Sequence, residues 1–184
     1  MPEHCYVIAP VKLPPEGRRL WDGPSWGQVL ALPIDRFHPQ SSEHRPIVRA
    51  KMQHDDEALH LLFDVQDRYV IATHQGYQRP VYQDSCVECF LEPLPGRGYL
   101  NFEVNCIGAL LVHHVIHPDI PQSKGHVVLP ESLLRQVRVF HSLAGPIVQE
   151  IREVVAWQVE MSVPWSFFDV AIGAQVPRGT GAIW

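Results

Sequence analysis

Seventeen prolines are spread through 184 residues. Each lacks a backbone N–H and locks φ, so none sits comfortably inside a long helix or a central strand. A chain interrupted this often is steered toward short strands joined by turns. Up to about Gln40, Pro10, Pro14, Pro15, Pro24, Pro33 and Pro39 leave room only for a wrapping segment, with a short strand near Ala31–Ile34. The 46% hydrophobic and 19% charged fractions provide a core and argue against disorder. The length suits one domain and would make two cramped.

Period-2 alternation identifies the strands. Val48, Ala50 and Met52 alternate with Arg49, Lys51 and Gln53; after an Asp-Asp-Glu turn, Leu59, Leu61, Phe63 and Val65 alternate with His60, Leu62, Asp64 and Gln66. PQSSEHRP (39–46) is a polar loop. Cys86–Leu91 and Tyr99–Cys106 flank the turn LPGRG and predict a hairpin, followed by an apolar strand over Ala109–His117. Leu129–Leu134 reads as one helical turn. Val137–Ser142 and Val148–Val163 read as another strand pair, stopped by Pro164, with WSFFDV as a turn or short helix. The fold class is all-β: a single-domain antiparallel β-sandwich of jelly-roll-like type, with a β-barrel as the alternative. The chain ends at GAIW, where a sandwich implies either a missing C-terminal strand or an end paired to the sheet.

Net charge is −5 and the Lys and Arg residues are scattered, so no footprint for nucleic acid or an anionic membrane exists. The longest apolar run falls far short of the roughly 20 residues of a membrane span. No charged segment followed by an apolar one opens the chain, and four cysteines are too few for a disulfide scaffold. Reduced thiols follow, which fits the cytoplasm better than export.

The hairpin carries the chemistry. Burying Val87, Cys89, Leu91, Phe102, Val104 and Cys106 together leaves Glu88, Asn101, Glu103 and Asn105 as neighbours on the other face. Two carboxylates and two amides can accept and donate several hydrogen bonds at once, which suits sugar hydroxyls. A merely solvated sheet face has the same pattern, although Phe90 beside Glu88 adds an aromatic to it.

Asp84-Ser85-(Cys86)-Val87-Glu88-x-Phe90, followed by Asn101-Phe102-x-Val104-Asn105-x-x-Gly108, resembles the family 9 carbohydrate-binding modules and their bacterial relatives. SSEHRP (41–46), LHLLFDVQDRYV (59–70) and WQVEMSVPW (157–165) extend the resemblance over roughly Trp26–Trp165. It implies a β-sandwich that binds mono- or oligosaccharides without catalysis, often with structural calcium. Glu88 matches a carboxylate that bonds sugar hydroxyls, and Asn105 an amide of the site. Glu103 stands where the best-known modules carry an arginine. Tyr82 falls where they carry a first stacking aromatic. For calcium, Asp55, Asp56 and Asp84 are chemically eligible oxygens.

Other constellations point elsewhere. Cys86 and Cys89, three apart on a strand, face opposite ways and cannot easily share a metal; buried thiols, with Cys89 near Cys106, are the better reading. His113 and His117 share a face about 13 Å apart at 3.3 Å per residue, so a metal would need His126 or His141 as well. A haem- or metal-binding sandwich using these histidines, Met52 or Met161 is one alternative function. A glycoside-processing enzyme is another, with Glu88 and Glu103 in reach of the ~5–9.5 Å such carboxylate pairs span. Trp21, Trp26, Trp165 and Trp184 are stacking candidates, whereas Trp157 alternates with core residues.

Overall fold

The alternation becomes two main sheets in the computed structural model, which describes residues 5–11, 21–117, 119 and 122–178. In chain order the strands are β1 (Ala9–Pro10), β2 (Leu32–Pro33), β3 (Ile47–His54), β4 (Ala58–Asp67), β5 (Val70–Ala72), β6 (Cys86–Leu91), β7 (Tyr99–Asn105), β8 (Leu110–Val115), β9 (His126–Val128), β10 (Arg138–His141), β11 (Ile147–Ile151) and β12 (Val155–Pro164). A 3₁₀ turn covers Val81–Gln83, and the helices are α1 (Gln122–Gly125), α2 (Glu131–Leu134) and α3 (Trp165–Ile172).

The larger sheet runs β1-β3-β4-β12-β10, with β2 also on β3; the second runs β6-β7-β8-β9. All these pairings are antiparallel except the two-residue contact of β1 with β3. Strands β4 and β12 pair along ten residues, from Val155 opposite Asp67 to Pro164 opposite Ala58. Their inward rows, Leu59–Val65 and Trp157–Val163 at alternate positions, are at most 3% exposed. They share one core with Val87, Leu100, Phe102, Val104, Leu110 and Val112 of the second sheet. Burying a large apolar side chain stabilises by roughly 1.5–3 kcal/mol, so this doubled row fixes the strand register.

The Asp-Asp-Glu turn between β3 and β4 is held by the Asp55 carboxylate, which accepts from the amides of Glu57 and Ala58 at 2.9 and 2.8 Å. The expected strand at 31–34 is present as β2, and the helical turn at 129–134 as α2. WSFFDV opens the eight-residue α3, which ends on Gly173 in the left-handed conformation (φ 72°).

Two expectations need correction. The run 148–163 is not one strand: β11 leaves to pair with β5, and only β12 joins β10. Period 2 continues through the break because both pieces are extended, so alternation alone does not reveal it. The second concerns the tryptophans proposed for stacking, because the outer face of the larger sheet is covered. Lys51, Gln53, His60, Leu62, Glu160 and Ser162 are each at most 3% exposed. The N-terminal segment lies over them: Lys51 Nζ donates to the carbonyls of Trp21 (2.7 Å) and Trp26 (3.0 Å), and Trp26 Nε1 donates to Glu160 (3.1 Å). Trp21, Trp26 and Trp165 are therefore buried rather than stacking platforms. Trp184 and the expectation about the chain end lie outside the described residues.

Candidate functional site

The β6–β7 hairpin forms as its sequence predicts. Gly98 is required in its turn: φ is +78°, and a Cβ there would lie 2.1 Å from the Val115 carbonyl oxygen. The register places Cys86 opposite Asn105, Glu88 opposite Glu103, and Phe90 opposite Asn101. On the other side of β7, Glu103 meets Leu111 and Asn101 meets His113 of β8. Glu88, Asn101 and Glu103 thus share the outer face of the second sheet. Cys86 lies on that face and Cys89 on the inner one, and all four cysteines are free thiols.

This face is short of donors. Asn101 Nδ2 donates to Glu103 Oε1 at 2.7 Å. The other oxygen of each pair member, Asn101 Oδ1 and Glu103 Oε2, is buried with no partner among the described residues. Glu103 sits in an inner strand of its sheet and is only 6% exposed. Burial, and then the charge of Glu88, push its carboxyl up to about 7, against the opposing Asn101 bond. Burial also raises the Glu88 carboxyl. An unpaired buried acceptor costs about 1–3 kcal/mol, so the face carries an unmet demand for hydrogen-bond donors.

Aromatic and apolar groups surround the acceptors. The Phe90 and Tyr99 rings lie 5.8 Å apart; Phe90 is 56% exposed. The Val81–Gln83 turn packs against β6 and β7 and buries Val81 against Ala109 and Leu111, leaving Tyr82 58% exposed at the edge of the face. Tyr99 escaped the sequence reading. Its parity with Asn101 and Glu103 was the available signal.

Asn105 does not join this set. It is fully buried. Its Nδ2 donates to the His74 carbonyl (2.9 Å) and Asp84 Oδ2 (2.8 Å), while its Oδ1 accepts from the amides of Ile107 and Ala109. It is thus consumed in holding the loops that carry the face. Asp84 is the hub of that arrangement, accepting from the amides of Thr73 and His74 as well. Burial raises its pKa, but these donors outweigh it and hold the carboxyl below its ordinary value.

Of the aspartates proposed for calcium, Asp55 and Asp84 do not fit it, and Asp56 stands exposed in the β3–β4 turn. The Asp84 oxygens face N–H donors, and Asp55 is engaged by Glu57, Ala58 and His60; both carboxylates are spent on turns. Among the described residues no group of three or more His, Cys, Asp or Glu could hold a metal ion. The histidines also disperse: His114 is buried and bonds the Arg97 carbonyl, His141 bonds the Leu143 carbonyl, and the His113 and His126 rings lie 5.6 Å apart. Met161 is buried in the core. Among the described residues, the haem and metal alternatives thus have no assembled ligand set. A cleft of about 760 Å³ does exist, lined by His44, Arg45, Ile47, Asp67, Tyr69 and Val154. None of the expected site residues lines it, and its His44–Asp67 pair is already bonded at 2.6 Å.

A two-sheet sandwich with a patch of unmet acceptors framed by aromatics has the make-up of a ligand-binding module. The model of carbohydrate-binding family 9 matches residues 27–177, and the chain belongs to that family. A presumed carbohydrate-binding protein from Bacteroides uniformis aligns over 96% of this chain and 76% of its own, with 25% identity and a TM-score of 0.76. A family 9 module from Caldicellulosiruptor kristjanssonii, solved in complex with glucose, aligns over 88% of this chain and 70% of its own. At 18% identity and a TM-score of 0.52, that second likeness speaks for the fold alone. No curated protein matches the chain.

Proposed function

We propose that the chain binds carbohydrate, without turning it over, on the outer face of the second sheet. The observation that carries this reading is the pair of buried, unpartnered oxygens, Asn101 Oδ1 and Glu103 Oε2, beside the Glu88 carboxylate. Sugar hydroxyls supply hydrogen-bond donors to the exposed Glu88 carboxylate of this acceptor-rich face, and a pyranose face supplies apolar C–H surface for an aromatic ring. Glu88, Asn101 and Glu103 accept hydroxyls; Tyr82, Phe90 and Tyr99 offer ring faces and edges. Asn105 acts one step back, shaping the loops. The family membership and the likeness to the Bacteroides uniformis carbohydrate-binding protein support the same class of ligand.

Titration calorimetry against a panel of mono- and oligosaccharides tests this. Binding in the micromolar-to-millimolar range is expected, with Glu88→Ala weakening it at least tenfold and leaving the fold intact, because Glu88 is exposed. An unchanged affinity in Glu88→Ala removes the site assignment. Turnover of an aryl glycoside that disappears in Glu88→Gln would instead establish the pair as catalytic.

A further inference from the structure

Resting on that reading, we propose that the preferred ligand is an amino sugar, with its ammonium seated between Glu88 and Glu103. The two carboxylates stand directly opposite each other across β6 and β7. Like charges in that position, with Cβ atoms about 4.5–5.5 Å apart, oppose folding. Among the described residues, neither has an ion-pair partner.

Among the described residues, the strand positions facing the pair carry no Lys or Arg. Strand β6 brings Cys86, β7 brings Asn101, and β8 and β9 bring His113 and His126. Burial, and then the neighbouring His126, hold His113 below its ordinary pKa, which keeps it neutral near pH 7. Tyr82 and the Phe90–Tyr99 pair are uncharged but present π surface, which favours a cation further.

The donor count agrees. Glu103, 6% exposed, leaves Oε2 without a partner on this face, and Asn101 leaves Oδ1. Glu88 adds further acceptor capacity. An ammonium carries three donors and no acceptor, whereas a hydroxyl brings one donor together with lone pairs that this face has little to satisfy. A ligand cation also stabilises the ionised form of Glu103. Its carboxyl, held near 7 in the empty site, then releases a proton on binding.

Calorimetry at pH 7 in EDTA, with glucosamine, N-acetylglucosamine and glucose, decides the matter. Glucosamine should bind roughly tenfold tighter than glucose, the difference between a charge-assisted and a neutral hydrogen bond. N-acetylglucosamine, which keeps the nitrogen but not the charge, should lose that advantage. Binding heats measured in buffers of different ionisation enthalpy should show proton release with glucosamine. The glucosamine-to-glucose ratio should fall toward one in Glu88→Gln and in Glu103→Gln, each checked by its melting curve. It should stay unchanged in Glu57→Gln, an exposed carboxylate of the β3–β4 turn. Glucose binding as tightly as glucosamine overturns the amino-sugar proposal while the sugar site stands, provided Glu88→Ala weakens both. Absence of binding by all three sugars overturns the proposal and the site together.

Discussion

The two sheets turn their outer faces to different ends. On the larger sheet, polar residues are buried and matched within the chain: Lys51 to the Trp21 and Trp26 carbonyls, His60 between Asp55 and Ser162, Glu160 to Trp26. Gln53 Nε2 is left over there. On the second sheet, Glu88 faces Glu103 and two buried oxygens have no partner. Buried polar groups are normally bonded, and each exception needs a reason. The contrast teaches that one face has been closed by the protein's own N-terminal segment, whereas the other is chemically unfinished. An unfinished face is where an external donor gains most.

Removing the cover is the strongest way to break that comparison. Trp26→Ala should destabilise by roughly 3–5 kcal/mol, the usual cost of deleting a buried tryptophan, read from urea unfolding. Sugar affinity should survive below the melting temperature, because the cover lies on the other sheet; a loss of affinity would mean that the faces are coupled. Next, Asn105→Ala should cost about 2–3 kcal/mol, since it strips Asp84 and two loop amides of buried partners. If instead stability holds and only sugar affinity falls, Asn105 belongs to the contact surface after all.

The charged pair predicts a gain. Glu103 titrates near 7 in the fold against an ordinary 4.5. Its contribution to stability is therefore fully present below about pH 4.5 and is lost as pH rises through 7. Glu103→Gln should raise stability by about 1–2 kcal/mol at pH 8 and leave it unchanged at pH 4, measured by thermal melts. His60 behaves in the opposite sense. Burial outweighs its Asp55 bond and holds it below its ordinary 6.5, so its contribution is present above that pH and is lost as pH falls below it. A wild-type profile lacking opposed limbs from the two faces would sever the link between burial and titration drawn for them. The smallest effect is expected at Phe90→Ala. Stability should move by no more than about 0.5 kcal/mol at this exposed site, while sugar affinity drops severalfold.

Much of this was legible in the sequence. The hairpin strands, their turn and the grouping of Glu88, Asn101 and Glu103 followed from parity alone, because side chains alternate regardless of what surrounds a strand. The family pattern through Asp84, Glu88 and Asn101 added the sugar reading. Asn105 shows where parity stops. Standing at the end of β7, beside the turn to β8, it has its side chain captured by Asp84 and by backbone amides. The break between β11 and β12 was hidden because an extended chain keeps its alternation through a bend.

By itself, then, the sequence determined the strand content, the inward rows of the core and the co-facing of two carboxylates with an amide. These are local consequences of proline placement and a period of two. Only the tertiary structure decided which outer face is closed by the chain's own N-terminal segment, because that depends on where a distant segment bearing Trp21 and Trp26 comes to rest. It also decided that Glu103 is buried without an ion-pair partner among the described residues. Burial and charge pairing are set by neighbours from other strands, which no local pattern records.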